Sequence, residues 1–346
     1  MTRGGSTVSW LGLDVGGANL KFATRDSTAW TVPFPVWRRP GDLGQALAEA
    51  VGAKVPVDRV ALTMTAELCD CYPTKAEGVR AVLAAVDAAF PTSRVVVWGV
   101  DGSFHDPGEI RDRPGLAAAA NWLALATVAA RLAERRPGVL IDVGSTTTDL
   151  IALDRGMVLA RGRTDTERLH SGELVYAGVR RTPCCALATQ LVFENRPTGV
   201  AAELFATTHD IFLVLGEVEE DPHDHSTADG LPATIEAARC RLARMIAADP
   251  ADFDLARACA LSREMDRVLL ERLARALRSV VRGAGIEPEV AVISGSGEFL
   301  ARRLARFCFG GRLPLISLLD RWGKEGSAAA CARALVVLAE EGEEGG

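Results

Sequence analysis

Three short glycine turns each follow an apolar run, and two of them are led by aspartate: Asp14-Val15-Gly16-Gly17, Asp142-Val143-Gly144-Ser145 and Ser294-Gly295-Ser296-Gly297. Glycine lets backbone N–H groups approach an anion closely and point at it. An aspartate at a strand end does not face phosphate favourably by itself. It holds Mg2+, usually through water, and the metal then neutralises phosphate charge. One such turn alone reads as a tight turn before it reads as a ligand loop. Two with matched aspartates, and a third in order, point to a phosphate-bearing ligand with Mg2+.

Other groupings carry chemistry with less specificity. Arg180-Arg181 offers paired guanidinium forks to a carboxylate or a diphosphate, or else salt-bridges at the surface. His223-x-His225, flanked by Asp221 and Asp224, has spacing for a transition metal, but no distant fourth ligand is evident and a solvated acidic loop is the better reading. Cys184-Cys185, followed by Ala-Leu-Ala, reads as buried packing.

These groups must be held by alternating strands and helices. Ser9–Asp14 and Asn19–Thr24 read as a hairpin closed by glycine, followed by a helix over 42–53 with Asp42 at its N-cap. A strand is expected over 58–64, a helix over 74–90 capped by Thr74, a strand over 94–100 and a long alanine-rich helix over 114–136. The opening then recurs: LGLDVGGANLKFA and LIDVGSTTTDLIAL share a strand, an Asp, Val-Gly, a small residue and a second strand, with Asp14 and Asp142 128 residues apart. That internal repeat implies two lobes of related design. The first is residues 1–137 with a last helix over 327–340. The second is 138–326, with an irregular insert at about 163–230 and the third glycine turn at 294–297. Within it, 165–197 reads as irregular, 210–215 as a strand or another buried segment, 234–248 and 255–283 as helices, 289–293 as a strand, 298–307 as a helix and 313–318 as a strand. The stripe Leu255, Ala258, Leu261, Met265 and Leu269 is core. The tail from Glu340 reads as disordered. Strands alternating with helices give an α/β fold with parallel pairs.

Composition sets the bounds. The 346 residues suit two domains, and 48% hydrophobic with 24% charged residues is ordinary for a chain that buries two cores. A net charge of −6 argues against nucleic acid as partner. No run approaches the apolar length that crosses a bilayer, the first ten residues lack a signal-peptide core, and the eight cysteines include no C-x-x-C pair. A cytoplasmic protein with reduced thiols is expected.

The three turns resemble the actin-like ATPase, Hsp70 and sugar-kinase superfamily, and DVGSTTTDLIAL resembles its hydantoinase A/oxoprolinase branch. LGLDVGGANLKFA, TMTAELCD, ANWLALA, GELVYAGVRRTPCCAL and TADGLPATIEAARCRLARMIAAD are similar to tetrahydromethanopterin-linked C1-transfer proteins and to the archaeal methylofuran-biosynthesis synthases, over about Leu11 to Ala334. The resemblance implies a two-lobed RNase H-like fold with a central cleft. There the first two hairpins contact phosphates and the third turn lies against a nucleoside. It implies an aminomethylfuran diphosphate in the cleft, a phenolic acceptor such as γ-glutamyltyramine or a tyrosine-glutamate analogue attacking the furfuryl methylene, and pyrophosphate as leaving group. Such an enzyme is a transferase with Mg2+, small-molecule partners and a homodimer as expected assembly.

Roles follow by position. Asp14, Asp142 and Asp149 are the metal-side carboxylates. Gly16, Gly17, Asn19, Gly144, Ser145, Thr146 and Thr147 face the diphosphate, with Gly295, Ser296 and Gly297 in the third turn. Lys21 neutralises phosphate charge, or else is a solvated strand lysine. Glu67 and Asp101 lie just beyond strand ends, where ligands bind in open α/β sheets. Either is a candidate base for the phenol, whose free pKa is about 10, or else a cap, and Asp142 stands with them as catalytic. Arg180 and Arg181 would take the diphosphate or the acceptor's carboxylate. Glu173 and Tyr176 share their segment, while Thr227, Asp229, Arg239 and His209-Asp210 are weaker candidates. Ala18-Asn19 replaces the hydroxyl residues of the oxoprolinase branch, which weakens the case for ATP hydrolysis. The alternatives are an ATP-dependent small-molecule kinase or oxoprolinase-like hydrolase, with ATP or another nucleotide bound, and a nucleotide-sensing assembly protein.

Overall fold

The computed structural model describes residues 9–52, 55 and 57–344. Residues 1–8, Ala53 at the end of the first expected helix, and 345–346 of the tail lie outside them. Two sheets of related order form the frame. In the first, β1 (Trp10–Val15), β2 (Asn19–Thr24) and β3 (Ala29–Pro33) are antiparallel, β4 (Arg59–Met64) and β5 (Arg94–Trp98) run parallel beside β1, and β6 (Phe104–His105) closes the edge. The second repeats that plan. Its hairpin is β7 (Gly138–Val143) and β8 (Thr148–Asp154), and β9 (Met157–Val158) and β10 (Leu174–Val175) both pair with β8. A separate hairpin, β11 (Gln190–Phe193) and β12 (Arg196–Gly199), stands apart. β13 (Val290–Ser294) and β14 (Leu315–Ser317) lie parallel beyond β7. The repeat holds to single residues: Asp14 pairs with Lys21 across one hairpin, and Asp142 with Asp149 across the other.

Strand alternation assigns the faces. Leu11, Leu13 and Val15 point to a core shared with α1 (Leu43–Val51) and α2 (Lys75–Ala89), while α3 (Pro107–Asp112) follows β6. Trp10 points the other way, into a middle layer made by α4 (Asn121–Leu132) and the C-terminal helix. α5 (Asp165–Ser171), α6 (Thr208–Val214), α7 (Ile235–Met245), α8 (Leu255–Ala284) and α9 (Glu298–Phe309) belong to the second lobe, and α6 to α9 pack against its sheet. α10 (Leu318–Ala328) leads into α11 (Ala330–Glu344), which returns to the middle layer. That layer also takes Leu140, Ile151 and Val292 from the second sheet, so α4 and α11 are sandwiched between the lobes.

Gly12 is what lets α11 lie on β1, because a Cβ there would stand 2.0 Å from the Ala332 carbonyl oxygen. Gly12→Ala is expected to destabilise the protein by about 1–3 kcal/mol, since backbone cannot rotate away as a side chain can. Thermal unfolding checks this, and an unchanged midpoint would show that the helix has room to retreat.

Several expected elements differ. The helix foreseen over 114–136 is broken: Pro114–Leu116 is a 3-10 turn, Ala118 bridges to Met64, Ala119 has φ 50°, and the helix starts only at Asn121. Pairing with the first sheet overrides alanine's helix propensity. The apolar run at 210–215 is the buried segment of its two readings, and its backbone is helix rather than strand. α6 carries a capping box between Thr207 and Asp210, and a short apolar run does not distinguish the two by period. The irregular stretch 165–197 contains α5, opened by a capping box of Thr164 and Glu167, and the β11–β12 hairpin. Asp42 precedes α1 but makes no side-chain cap and pairs with Arg39 instead. The described part of the tail, 340–344, is the end of α11, and Glu340, Glu341 and Glu343 pair with Arg25, Arg131 and Arg59. Among the described residues no helix is long and apolar enough to cross a membrane.

Candidate active site

The two hairpin turns face one cavity of about 440 Å3 between the lobes. Asp14, Gly16, Gly17, Asn19 and Lys21 line it from the first lobe, and Asp142, Gly144, Ser145, Thr146, Thr147, Asp149 and Arg181 from the second. The turns close identically: Gly16 donates its N–H to the Asn19 carbonyl at 3.0 Å, and Gly144 to Thr147 at 2.9 Å. Their other carbonyls are turned back into protein. Gly17 accepts from Val36 and Ala18 from Phe34, while Gly144 accepts from Val179 and Ser145 from both Arg180 and Arg181. A carbonyl and the next residue's N–H lie in one peptide plane and point oppositely. The N–H groups of Ala18, Ser145 and Thr146, all on the cavity wall, therefore point away from the chain that holds the carbonyls. Backbone N–H groups set out in this way, in two halves, have the geometry that suits an anion. Ala119 and Asn121 at the start of α4, and Cys331 at the start of α11, also line the cavity, so two helices direct their positive ends at it.

The charges are organised in pairs. Asp14 is buried, its Oδ2 3.6 Å from Lys21 Nζ, and its Oδ1 has no hydrogen-bond partner. Burial raises the Asp14 carboxyl against the pull of Lys21. Burial alone would lower Lys21, but Asp14, Cys331 and Asp142 hold it above its ordinary value. Asp142 accepts from Ser294 Oγ at 2.6 Å and is pushed up to about 6 by burial and then by Asp149. Asp149 pairs with the buried Arg168, whose guanidinium sits 4.1 Å from the Trp122 ring centroid.

The expected metal set is corrected accordingly: Asp149 is engaged in an ion pair with Arg168, and no cluster of three or more His, Cys, Asp or Glu side chains suited to a metal occurs among the described residues. Mg2+ asks for less, one or two carboxylates with water and substrate phosphate. Asp14, with its unpartnered buried Oδ1, fits that demand, with Asp142 nearby.

Other expected site residues fall elsewhere. Asp101 is exposed in a turn, and it is clamped by His105 Nε2 at 3.0 Å, so it is no base for a ligand in the cavity. Arg180 is taken by Asp224, and only its neighbour Arg181 reaches the cavity. Gly295, Ser296 and Gly297 are also absent from the wall. Added Cβ atoms would stand 2.3 Å from the Val143 carbonyl at Gly295 and 2.6 Å from Val143 Cγ1 at Gly297, so these glycines serve packing against β7. Of the weaker candidates, Tyr176 lines the cavity. Glu173 accepts from the Arg161 and Gly162 N–H groups, and Asp229 and Asp210 take the buried Arg241. Arg239 ties down 250–253, and His209 is pushed down to about 4 by burial and then by Arg180. His225 bonds the Gly230 carbonyl in an exposed loop, and all eight cysteines are free. Trp37, Thr65, Asn121, Arg168 and Cys331 were not singled out in sequence, yet they line the cavity.

Glu67 sits behind the wall rather than on it. Its 3-10 turn is pressed under α2, where a Cβ on Gly78 would stand 2.6 Å from Glu67 Cα, and neither carboxylate oxygen has a hydrogen-bond partner. Burial drives it from 4.5 to about 7, against a weaker pull from backbone N–H groups and Lys75. The folded protein thus binds this proton more tightly than the unfolded chain, so stability falls as pH rises from 4.5 to about 7. Glu67→Gln should gain up to about 3 kcal/mol at pH 8 and nothing at pH 4, with an unaltered pH–rate profile. Unfolding midpoints at both pH values check it, and an equal change at both would remove the burial argument.

The sequence profile of the hydantoinase/oxoprolinase family matches residues 58–340. A (4-{4-[2-(gamma-L-glutamylamino)ethyl]phenoxymethyl}furan-2-yl)methanamine synthase of Methanocaldococcus jannaschii is 32% identical over 334 residues, 96% of this chain and 97% of that one. A protein of the same name from Methanococcus vannielii is 32% identical over 192 residues, 55% of this chain and 85% of its own. Among solved structures, nucleotide-free acetone carboxylase superposes with a TM-score of 0.55 at 11% identity, over 94% of this chain and 70% of that one, a likeness of fold alone.

Proposed function

This chain belongs to the hydantoinase/oxoprolinase family, on the two-lobed α/β fold of actin-like ATPases and sugar kinases, and we propose that it is a methylofuran-type synthase joining an aminomethylfuran diphosphate to a phenolic acceptor. It is a biosynthetic enzyme like its named relatives, and the name of those relatives describes a phenoxymethylfuran, an ether between a phenol oxygen and a furan methylene. The observation that carries the reading is the two-part cradle of outward N–H groups around one cavity, with Lys21 and Arg181 beside it. A diphosphate needs two adjacent anion seats, and it is the group on which charge develops when it leaves.

The acceptor's phenol oxygen forms a bond to the furfuryl methylene. The bond from that carbon to the diphosphate oxygen breaks, and its electron pair leaves with pyrophosphate. The phenol proton goes to Asp142, whose value of about 6 suits a base at neutral pH. Asp14 would hold Mg2+, which when bound offsets diphosphate charge. Mass-spectrometric detection of an aryl furfuryl ether with equimolar pyrophosphate is the expected result. Steady ADP release from ATP, with no pyrophosphate from a furfuryl diphosphate, would assign the site to a kinase or oxoprolinase-like hydrolase instead.

A further inference from the structure

Trp37 and Arg181 meet across the cleft. Trp37 comes from the first lobe, just beyond β3, and Arg181 from the segment after β10. The guanidinium carbon lies 4.7 Å from the Trp37 ring centroid, and both residues line the cavity. Each is tied by backbone to a different half of the cradle. Val36, next to Trp37, donates its N–H to the Gly17 carbonyl at 2.9 Å, and Arg181 donates its own to Ser145 at 2.9 Å. The stack therefore bridges the two anion loops. The other cavity cations are spoken for, Lys21 by Asp14 and Arg168 by Asp149. Among the described residues, the Arg181 side chain has no carboxylate partner. A guanidinium stacked by its face keeps its edge N–H groups for an oxyanion.

We infer that Trp37 is a positioning residue: its stack with Arg181 is a clasp that sets the spacing of the two anion loops and presents Arg181 to a ligand with two linked phosphates, in preference to one. The clasp rests on the diphosphate reading above and adds what makes the site choose that length. A single phosphate fills one loop and does not need the bridge. A pyrophosphate unit engages both loops and the guanidinium between them.

The test is calorimetric titration of the full-length protein, with Mg2+, by inorganic pyrophosphate and by orthophosphate. Wild type should bind pyrophosphate the more tightly. Trp37→Ala and Arg181→Ala should each weaken pyrophosphate about tenfold and leave orthophosphate within about twofold. Trp37→Phe should stay close to wild type, because a ring remains. Trp37→Leu, which keeps bulk without a π face, carries the same expectation as Trp37→Ala should the alanine variant fail to fold. The double variant Trp37→Ala/Arg181→Ala should bind no more weakly than Arg181→Ala alone, since Trp37 acts through Arg181. Equal weakening of both anions, or additive losses, would overturn the clasp. Wild-type pyrophosphate affinity in Trp37→Ala would overturn it while leaving the diphosphate reading intact. A wild-type protein that binds no pyrophosphate would overturn the diphosphate reading and the clasp with it.

Discussion

Asp142→Asn is expected to lower kcat by about 10²–10⁴ while the protein stays folded, the range that removal of a general base produces. The substitution is nearly isosteric and keeps an oxygen for the Ser294 hydroxyl, which donates to Oδ1 at 2.6 Å. What it removes is the ability to take a proton. Burial and then Asp149, directly across the hairpin, hold the Asp142 carboxyl at about 6. A base works when unprotonated, so kcat/KM of the wild type should rise with pH through about 6 and then level off. In the variant that rising limb should be missing. Stability gives an independent readout. The folded state penalises ionised Asp142, so at pH 8 the neutral asparagine should leave the unfolding midpoint equal or higher. A loss of less than tenfold with the limb retained would move the proton to another group.

The residues that were legible in sequence share one property, a local requirement. A hairpin whose turn carbonyls face back into the protein and whose N–H groups face the cavity needs small residues at fixed offsets from the strand. The two copies, around Gly16 and Gly144, could thus be matched by eye and proved matched to the residue in register. Strand ends told the right neighbourhood for Glu67, just behind the cavity wall, but not the direction of its side chain, and for Asp101 they told neither. Glu67 turns under α2, and Asp101 turns out to His105, both set by packing that the local pattern does not encode. The third glycine turn was read as a ligand loop because glycine for close ligand approach and glycine for close packing look alike. Only the nearness of the Val143 carbonyl to Gly295 separates them. Trp37, Asn121 and Cys331 reach the cavity through tertiary placement of a loop and two helix ends, with no short-range signature. Arg168 is different, because the Thr164-to-Glu167 capping box that opens its helix was present in the sequence and would have turned an apparent irregular stretch into α5.

Gly178→Ala should cost at least about 100-fold in kcat/KM, the scale on which ångström misplacement of binding groups is felt, together with about 1–3 kcal/mol of stability. The residue lies outside the cavity wall, so its effect is mechanical. A Cβ at this position would stand 2.4 Å from the Gly144 carbonyl oxygen and 2.6 Å from both the Ser145 carbonyl carbon and the Thr146 nitrogen. All three are backbone atoms of the second anion loop, so no side-chain rotation relieves the clash. Nor does the Gly178 segment have freedom to retreat. Its N–H is held by Thr182 Oγ1 at 2.9 Å, and its carbonyl accepts from Thr208 Oγ1 at 2.8 Å. The loop must give, and with it the Ser145 and Thr146 N–H groups that form half of the cradle. The first loop, around Gly16, is untouched, so a single phosphate should still find one seat while a diphosphate loses one of two. Gly108→Ala, at a glycine with nothing within 4 Å of an added Cβ, is the matched control for the bare effect of a methyl group. Turnover and unfolding midpoints of the two variants, measured side by side, decide the matter. Wild-type turnover in Gly178→Ala would mean that the second loop is not where the diphosphate sits.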